Sequence, residues 1–208
     1  MASNSKKPSA IFWVDLECDG LIPEPVNGVV DYNQLNILEV AVLITNLQLE
    51  PITGYKEAVK MTRAAADNIK ANPEVLDMHR GSGLVQACVE SAKTISEIED
   101  EIIAMLDEEV PGISFYIGGS GVAAYDHPII KALMPKIAAR LHYAPYDIGI
   151  ARRMSKTMTN RDVVNIPRSY QDGVKTHRAW DDITAHFEEG VAFQTFFEKA
   201  VQLGAHNG

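Results

Sequence analysis

A chain of 208 residues with 46% apolar content is long enough to bury one sizeable core and falls within the range of a single domain. Its formal charge of −9 argues against wrapping long nucleic acid, because affinity for a polyanion comes mainly from Lys and Arg. The four apolar residues Ile11 to Val14 are too few for a signal-peptide core or a membrane span, and Cys18 and Cys88 form no CxxC or Cys/His cluster, so a soluble, cytoplasmic protein without disulfides or zinc is expected.

In chain order, the first element is the apolar run Ile11 to Leu16, read as a strand that ends at Asp15 and Glu17 and turns at Asp19-Gly20. Pro23 to Asn36 reads as a long hairpin loop, Ile37 to Thr45 as a buried strand rich in β-branched residues, and Tyr55 to Met61 as its neighbour. Thr94 to Glu108 carries a capping-box pattern, Thr94 with Glu97, and apolar residues at helical spacing, which predicts an amphipathic helix. A strand over Ile113 to Ile117 follows, then a helix that begins near Pro128, runs through Leu133, Ile137 and Leu141, and is kinked at Pro135. Two more helices are expected, Trp180 to Glu188 and Val191 to Leu203. Strands first and strand–helix alternation afterwards imply an α/β protein with a mixed sheet. The expected organisation is one domain over residues 10–203, with flexible tails at 1–9 and 204–208.

Charge is unevenly spread. Between Ala151 and Arg178 seven basic residues face two acidic ones, a local charge of +5. The stretch ends beside His177, where it would either be a solvated loop or attract a polyanionic substrate.

Asp15 and Glu17 are separated by one residue, so on an extended strand both carboxylates project from the same face and can share a cation. An acid that closes an apolar run is costly to shield from water unless it is paired. Asp126 precedes Pro128, where an Asp is otherwise a helix cap. His177 and Asp182 are five residues apart, which puts the histidine in a loop and the carboxylate on the first or second turn of the next helix, where acids are also favoured by the helix dipole. Each residue alone has an ordinary structural explanation. Together they form the set that two-metal phosphodiester hydrolysis requires: several carboxylates for hard cations and a base for the attacking water.

The order of these residues resembles that of the oligoribonucleases, within the DEDDh exonuclease superfamily, which is defined by three aspartates, a glutamate and a histidine. Trp13 to Leu21, with Asp15 and Glu17, resembles the first family motif, and Ile37 to Ala41 the strand after it. His79 to Val85 resembles the His-x-x-Ser-Gly-Leu element, Ala123 to Asp126 the second acidic motif, Leu141 to Tyr143 with Asp147 the next segment, and His177 to Ile183 the closing His-x4-Asp motif. The match extends over residues 10 to 190. It implies a ribonuclease H-like sheet, an antiparallel meander plus parallel strands, flanked by helices. It further implies a 3′–5′ exonuclease acting on short single-stranded RNA, with DNA as an alternative, and releasing nucleoside 5′-monophosphates. Asp15, Glu17, Asp126 and Asp182 would hold two Mg²⁺ or Mn²⁺ ions and His177 would activate water. Leu21 would wedge between the last two bases. Tyr143 would contact substrate across a homodimer, although the sequence itself shows no interface.

The chain departs from the family pattern in three places. Gly118-Gly119-Ser120-Gly121-Val122 replaces an Asn or Gly-Asn-Ser element, Val75 to Met78 occupies the region of a base-stacking tryptophan, and Ala144, Gly149 and Ile150 lie where the family carries Arg, Ser and Thr over a 5′-phosphate. A broader single-strand exonuclease is therefore an alternative. A catalytically inactive nucleic-acid-binding module would lack at least one of the five reactive residues, and none is missing. A P-loop enzyme is set aside because no Gly-Lys-Ser/Thr follows the glycines.

Overall fold

The computed structural model describes residues 8–161, 163–164 and 176–205. Residues 1–7 and 206–208 of the expected tails, and Asp162, Arg168, Asp172 and Lys175 of the basic stretch, lie outside the described residues. Strands β1 (Ala10–Cys18), β2 (Ile37–Asn46), β3 (Pro51–Ala58), β4 (Phe115–Gly119) and β5 (Tyr146–Asp147) form one sheet in the order β3-β2-β1-β4-β5. β1 to β3 are an antiparallel meander, whereas β4 runs parallel to β1 and β5 parallel to β4. This is the mixed α/β sheet of the ribonuclease H-like expectation.

Among the described residues the α-helices are α1 (Arg63–Ala71), α2 (Pro73–Gly81), α3 (Leu84–Glu90), α4 (Ile95–Glu109), α5 (Asp126–Leu133), α6 (Pro135–Ala138), α7 (Ile148–Thr159) and α8 (Ala179–Ala205). Side chains alternate between the faces of β1. Phe12, Val14 and Leu16 pack in a core with Ile98, Ile102 and Leu106 of α4 and Ile129 of α5. Ile11 and Trp13 pack on the other face with Ile148 of α7 and Ile183 and Phe193 of α8. Asp15 and Glu17 continue the row begun by Ile11 and Trp13, so the face that is apolar under α8 becomes acidic where the strand ends.

Close packing fixes two glycines. A Cβ on Gly118 of β4 would lie 2.6 Å from Ile11 Cγ2, and one on Gly190 of α8 would lie 2.7 Å from Trp13 Cη2. Trp13 is fully buried and its indole N–H donates to Thr45 Oγ1 at 3.0 Å, so the ring has nowhere to retreat.

Several boundaries differ from those expected. α8 is one helix of 27 residues, not two: Gly190 serves the close approach to Trp13 and does not end the helix. The helix expected to run from Pro128 to Leu141 breaks at Met134, since the residue before a proline avoids helical backbone and Met134 has φ −134°. Leu141 is not helical at all; it bridges to Phe115. The edge strand β3 begins at Pro51, earlier than the predicted Tyr55, and ends at Ala58, short of Met61. The capping box at Thr94 and Glu97 is formed as expected. Helices α1 to α3, of nine, nine and seven residues, were not anticipated, because segments this short hold too few turns for a periodicity to emerge.

Candidate active site

Three carboxylates meet where β1 ends under the start of α8. Asp15, Glu17 and Asp182 each offer an oxygen, and these atoms all lie within 4.8 Å of one another. Glu17 is buried, and Asp15 and Asp182 are half-buried. Three like charges this close repel one another in a partly desolvated site, and a hard divalent cation removes that repulsion. The donor set is all oxygen, which suits Mg²⁺ or Mn²⁺ better than a soft ion.

Asp126, outside that cluster, is held to the end of β1 through the strand's backbone. β4 accompanies β1 only from Ala10 to Trp13, so beyond that point the β1 backbone needs another partner. Asp126 Oδ1 accepts the Leu16 N–H at 3.1 Å. The residue is 6% exposed, and burial pushes its pKa up to about 7 against the lowering effect of the backbone hydrogen bonds. The alternative role of an N-terminal cap is not what the structure shows: the cap residue of α5 is Tyr125, and it makes no side-chain capping bond. The loop ahead of Asp126 is pinned by Asp147, whose carboxylate accepts the N–H groups of Gly121 at 3.0 Å and Ala123 at 3.4 Å while capping α7 through Ile150 N–H at 3.2 Å.

His177 stands two residues before α8, half-buried, with φ +50°. Left-handed backbone costs a non-glycine residue about 1–2 kcal/mol. Leu21 is 83% exposed and borders a groove of about 860 Å³ that begins at Asp19, just past Glu17, and is walled by Asn36, Asn68, Asn72 and Val75. Tyr143 is 82% exposed, and its ring rests against His142. The structure thus brings Asp15, Glu17, Asp182 and Asp126 around the end of β1 and leaves Leu21 and Tyr143 at the surface.

Sequence reasoning gave no site role to His186, His79 or Glu39. His186 Nδ1 lies 4.0 Å from Asp15 Oδ1, and its spacing of one helical turn from Asp182 was the available signal. His79 is fully buried, with Nε2 2.9 Å from the Cys18 carbonyl and 3.9 Å from Glu17 Oε2. Burial lowers its pKa, so the neutral ring donates its Nε2–H to that carbonyl. It thereby steadies the bulge at Glu17/Cys18. Glu39 lies opposite Glu17 across the β1–β2 ladder.

No protein-family model matches the chain. An oligoribonuclease from Colwellia psychrerythraea is 30% identical over 202 residues, spanning 96% of this chain and 99% of the relative. The chain belongs to the oligoribonuclease family. A probable oligoribonuclease from Drosophila melanogaster is 27% identical over 190 residues, 91% of this chain and 82% of that one; relatives in mouse and cattle are named as mitochondrial. In fold, this family member resembles E. coli exonuclease I, solved in a zinc-bound complex with single-stranded DNA, with a TM-score of 0.62 at 11% identity over 94% of the chain. It spans only 43% of that exonuclease. Among the described residues, no helix is long and apolar enough to cross a membrane.

Proposed function

We propose that this family member is a two-metal-ion 3′–5′ exonuclease that hydrolyses short single-stranded oligonucleotides, RNA first among them, to nucleoside 5′-monophosphates. The observation that carries the reading is the convergence of Asp15, Glu17 and Asp182 within 4.8 Å in a chain of the oligoribonuclease family. Bound Mg²⁺ or Mn²⁺ would neutralise charge on the phosphate and lower the pKa of an attacking water. The carboxylates of Asp15, Glu17 and Asp182, with Asp126 beside them, would hold and orient the ions. His177, in the loop before α8, would take the proton of the attacking water. Leu21 and the groove it borders would receive the terminal bases through an apolar contact that reads no base edge, which fits an enzyme indifferent to sequence.

Homodimer formation and a cytoplasmic location belong to the same reading. The first is supported by the exposed Tyr143, available to a partner subunit, and the second by two buried free thiols, Cys18 and Cys88.

A second reading, a broader single-strand exonuclease on DNA or RNA, draws on the positions of the family's phosphate cap. A side chain at Gly149 would be crowded, since a Cβ there would lie 3.0 Å from Ser120 Oγ and 3.2 Å from the Gly121 nitrogen. Ala144 and Ile150 likewise offer no hydrogen-bond donor from their side chains.

The test uses 5′-labelled single-stranded RNA and DNA, from dinucleotides to long strands, with Mg²⁺, Mn²⁺ or EDTA and an Asp182→Ala control. Metal-dependent loss of 3′ mononucleotides that disappears in the control supports the reading. A rate that peaks at dinucleotides favours the oligoribonuclease assignment, a rate indifferent to length favours the second, and no cleavage with either metal overturns both.

A further inference from the structure

Glu39 is 3% exposed on β2, and a lone carboxylate so buried is costly unless it is fully partnered. Among the described residues, its hydrogen-bond partners come from one short stretch of chain. Arg178 Nε donates to both Glu39 oxygens, at 3.0 and 3.1 Å, and Arg178 Nη2 donates to Oε1 at 2.5 Å. The backbone N–H of Ala179 donates to Oε2 at 2.8 Å. One carboxylate therefore makes a bidentate pair with the residue before α8 and also satisfies the first N–H of that helix. The residue ahead of this anchor is His177, held in left-handed backbone. Directly across the ladder from Glu39 is Glu17.

We infer that Glu39 is a positioning residue for His177, fixing the backbone from which the histidine would act on the water held at the carboxylates. The inference rests on the proposed role of His177 as base. It distinguishes α8 from the loop before it, which are held by different means. Asp182 is one turn into the helix, and its neighbours Ala179 and Ile183 are fully buried in the core with Ile11 and Trp13. That packing holds Asp182 whether or not Glu39 is present. His177 lies outside the helix, and the anchor formed with Arg178 and Ala179 is one residue away. Loss of the Glu39 carboxylate should therefore displace the base and spare the metal ligands.

The experiment compares wild type, Glu39→Ala and Glu39→Gln, reading kcat and KM on a short labelled RNA, Mn²⁺ affinity by calorimetry without substrate, and thermal stability. Glu39→Ala should lose about a hundredfold in kcat, the scale of a small misplacement of a reacting group, with KM and Mn²⁺ affinity close to wild type. Glu39→Gln, whose amide oxygen still accepts the Ala179 N–H, should recover about tenfold of that loss. If Glu39→Ala does not fold, Arg178→Met takes its place: it keeps the Ala179 bond, and a fall in kcat at constant Mn²⁺ affinity is expected. An unchanged kcat in a folded variant, or a parallel fall in kcat and Mn²⁺ affinity, overturns the inference. Absence of turnover in wild type overturns the proposed function instead.

Discussion

Asp126 accepts the Leu16 N–H at 3.1 Å, so the acid carried by α5 is fastened to the backbone midway between Asp15 and Glu17. Its folded pKa, about 7, lies above the ordinary aspartate value of 3.8 because burial disfavours the charge. A raised acid binds more protons folded than unfolded, so its contribution to stability is present below about pH 4 and is lost as pH rises towards 7. In EDTA, wild-type Tm should fall more steeply between about pH 4 and about pH 7 than that of Asp126→Asn. Mg²⁺ should raise the wild-type Tm more at the upper end of that range, where the cation no longer competes with the proton. Equal slopes for the two proteins in EDTA would refute the assignment.

Removing one charge from the carboxylate cluster should separate stability from function. Asp182→Asn relieves repulsion among oxygens within 4.8 Å of one another, so its metal-free Tm should match or exceed that of wild type. The rise in Tm on adding Mn²⁺ should shrink, and the exonuclease rate should drop by at least about a hundredfold, the scale seen when a site loses a stabilising group. Differential scanning fluorimetry with and without Mn²⁺ reads the first two.

Gly190 sits inside α8, where replacement by alanine ordinarily gains about 1 kcal/mol of helix propensity. Here a Cβ would meet the immobile Trp13 ring at 2.7 Å, and overpacking costs about 1–3 kcal/mol. Gly190→Ala should therefore be destabilising in urea titrations. A gain in stability would mean that α8 can lift off Trp13 without penalty.

Arg152 of α7 donates its Nε to Glu189 Oε1 at 2.6 Å, with a second bond from Nη2 to Oε2, and the Glu189 side chain is wholly buried. Arg152→Ala leaves that charge without its guanidinium and should cost about 3–5 kcal/mol, whereas replacing both residues by Met should cost far less. Chemical denaturation of the single and double variants gives the comparison.

Leu21 is 83% exposed, so Leu21→Ala should leave Tm unchanged. KM for a dinucleotide should rise about tenfold, the scale of one lost base contact. An unaltered KM would remove the wedge from the proposed substrate site.

How much of this was legible in the sequence depended on whether the signal was local. Asp15 and Glu17 share a strand face by the period of two, and Asp182 follows His177 at a spacing that suits a loop and a first helical turn, so both were readable. Asp126 was readable as an acid but not as the partner of Leu16, because that bond depends on where β4 leaves β1, 110 residues away in the chain. Glu39 was hidden for a similar reason. Within a strand rich in β-branched residues it carries no periodic signal, and its partners Arg178 and Ala179 lie 139 and 140 residues on. The two helices expected over Trp180 to Glu188 and Val191 to Leu203 are one, and the glycine between them, Gly190, serves the contact with Trp13, which no local pattern announces.

The carboxylate cluster draws Asp15 from the first strand and Asp182 from the last helix. Such a site has no partial form. A ribosome that has delivered the sheet and helices up to α7 has produced a chain still missing an acid from that cluster, as well as the histidine proposed as its base. Under the proposed function, the nascent protein would leave surrounding oligonucleotides uncut until the final helix emerges and docks, and damage that releases α8 would return it to that state.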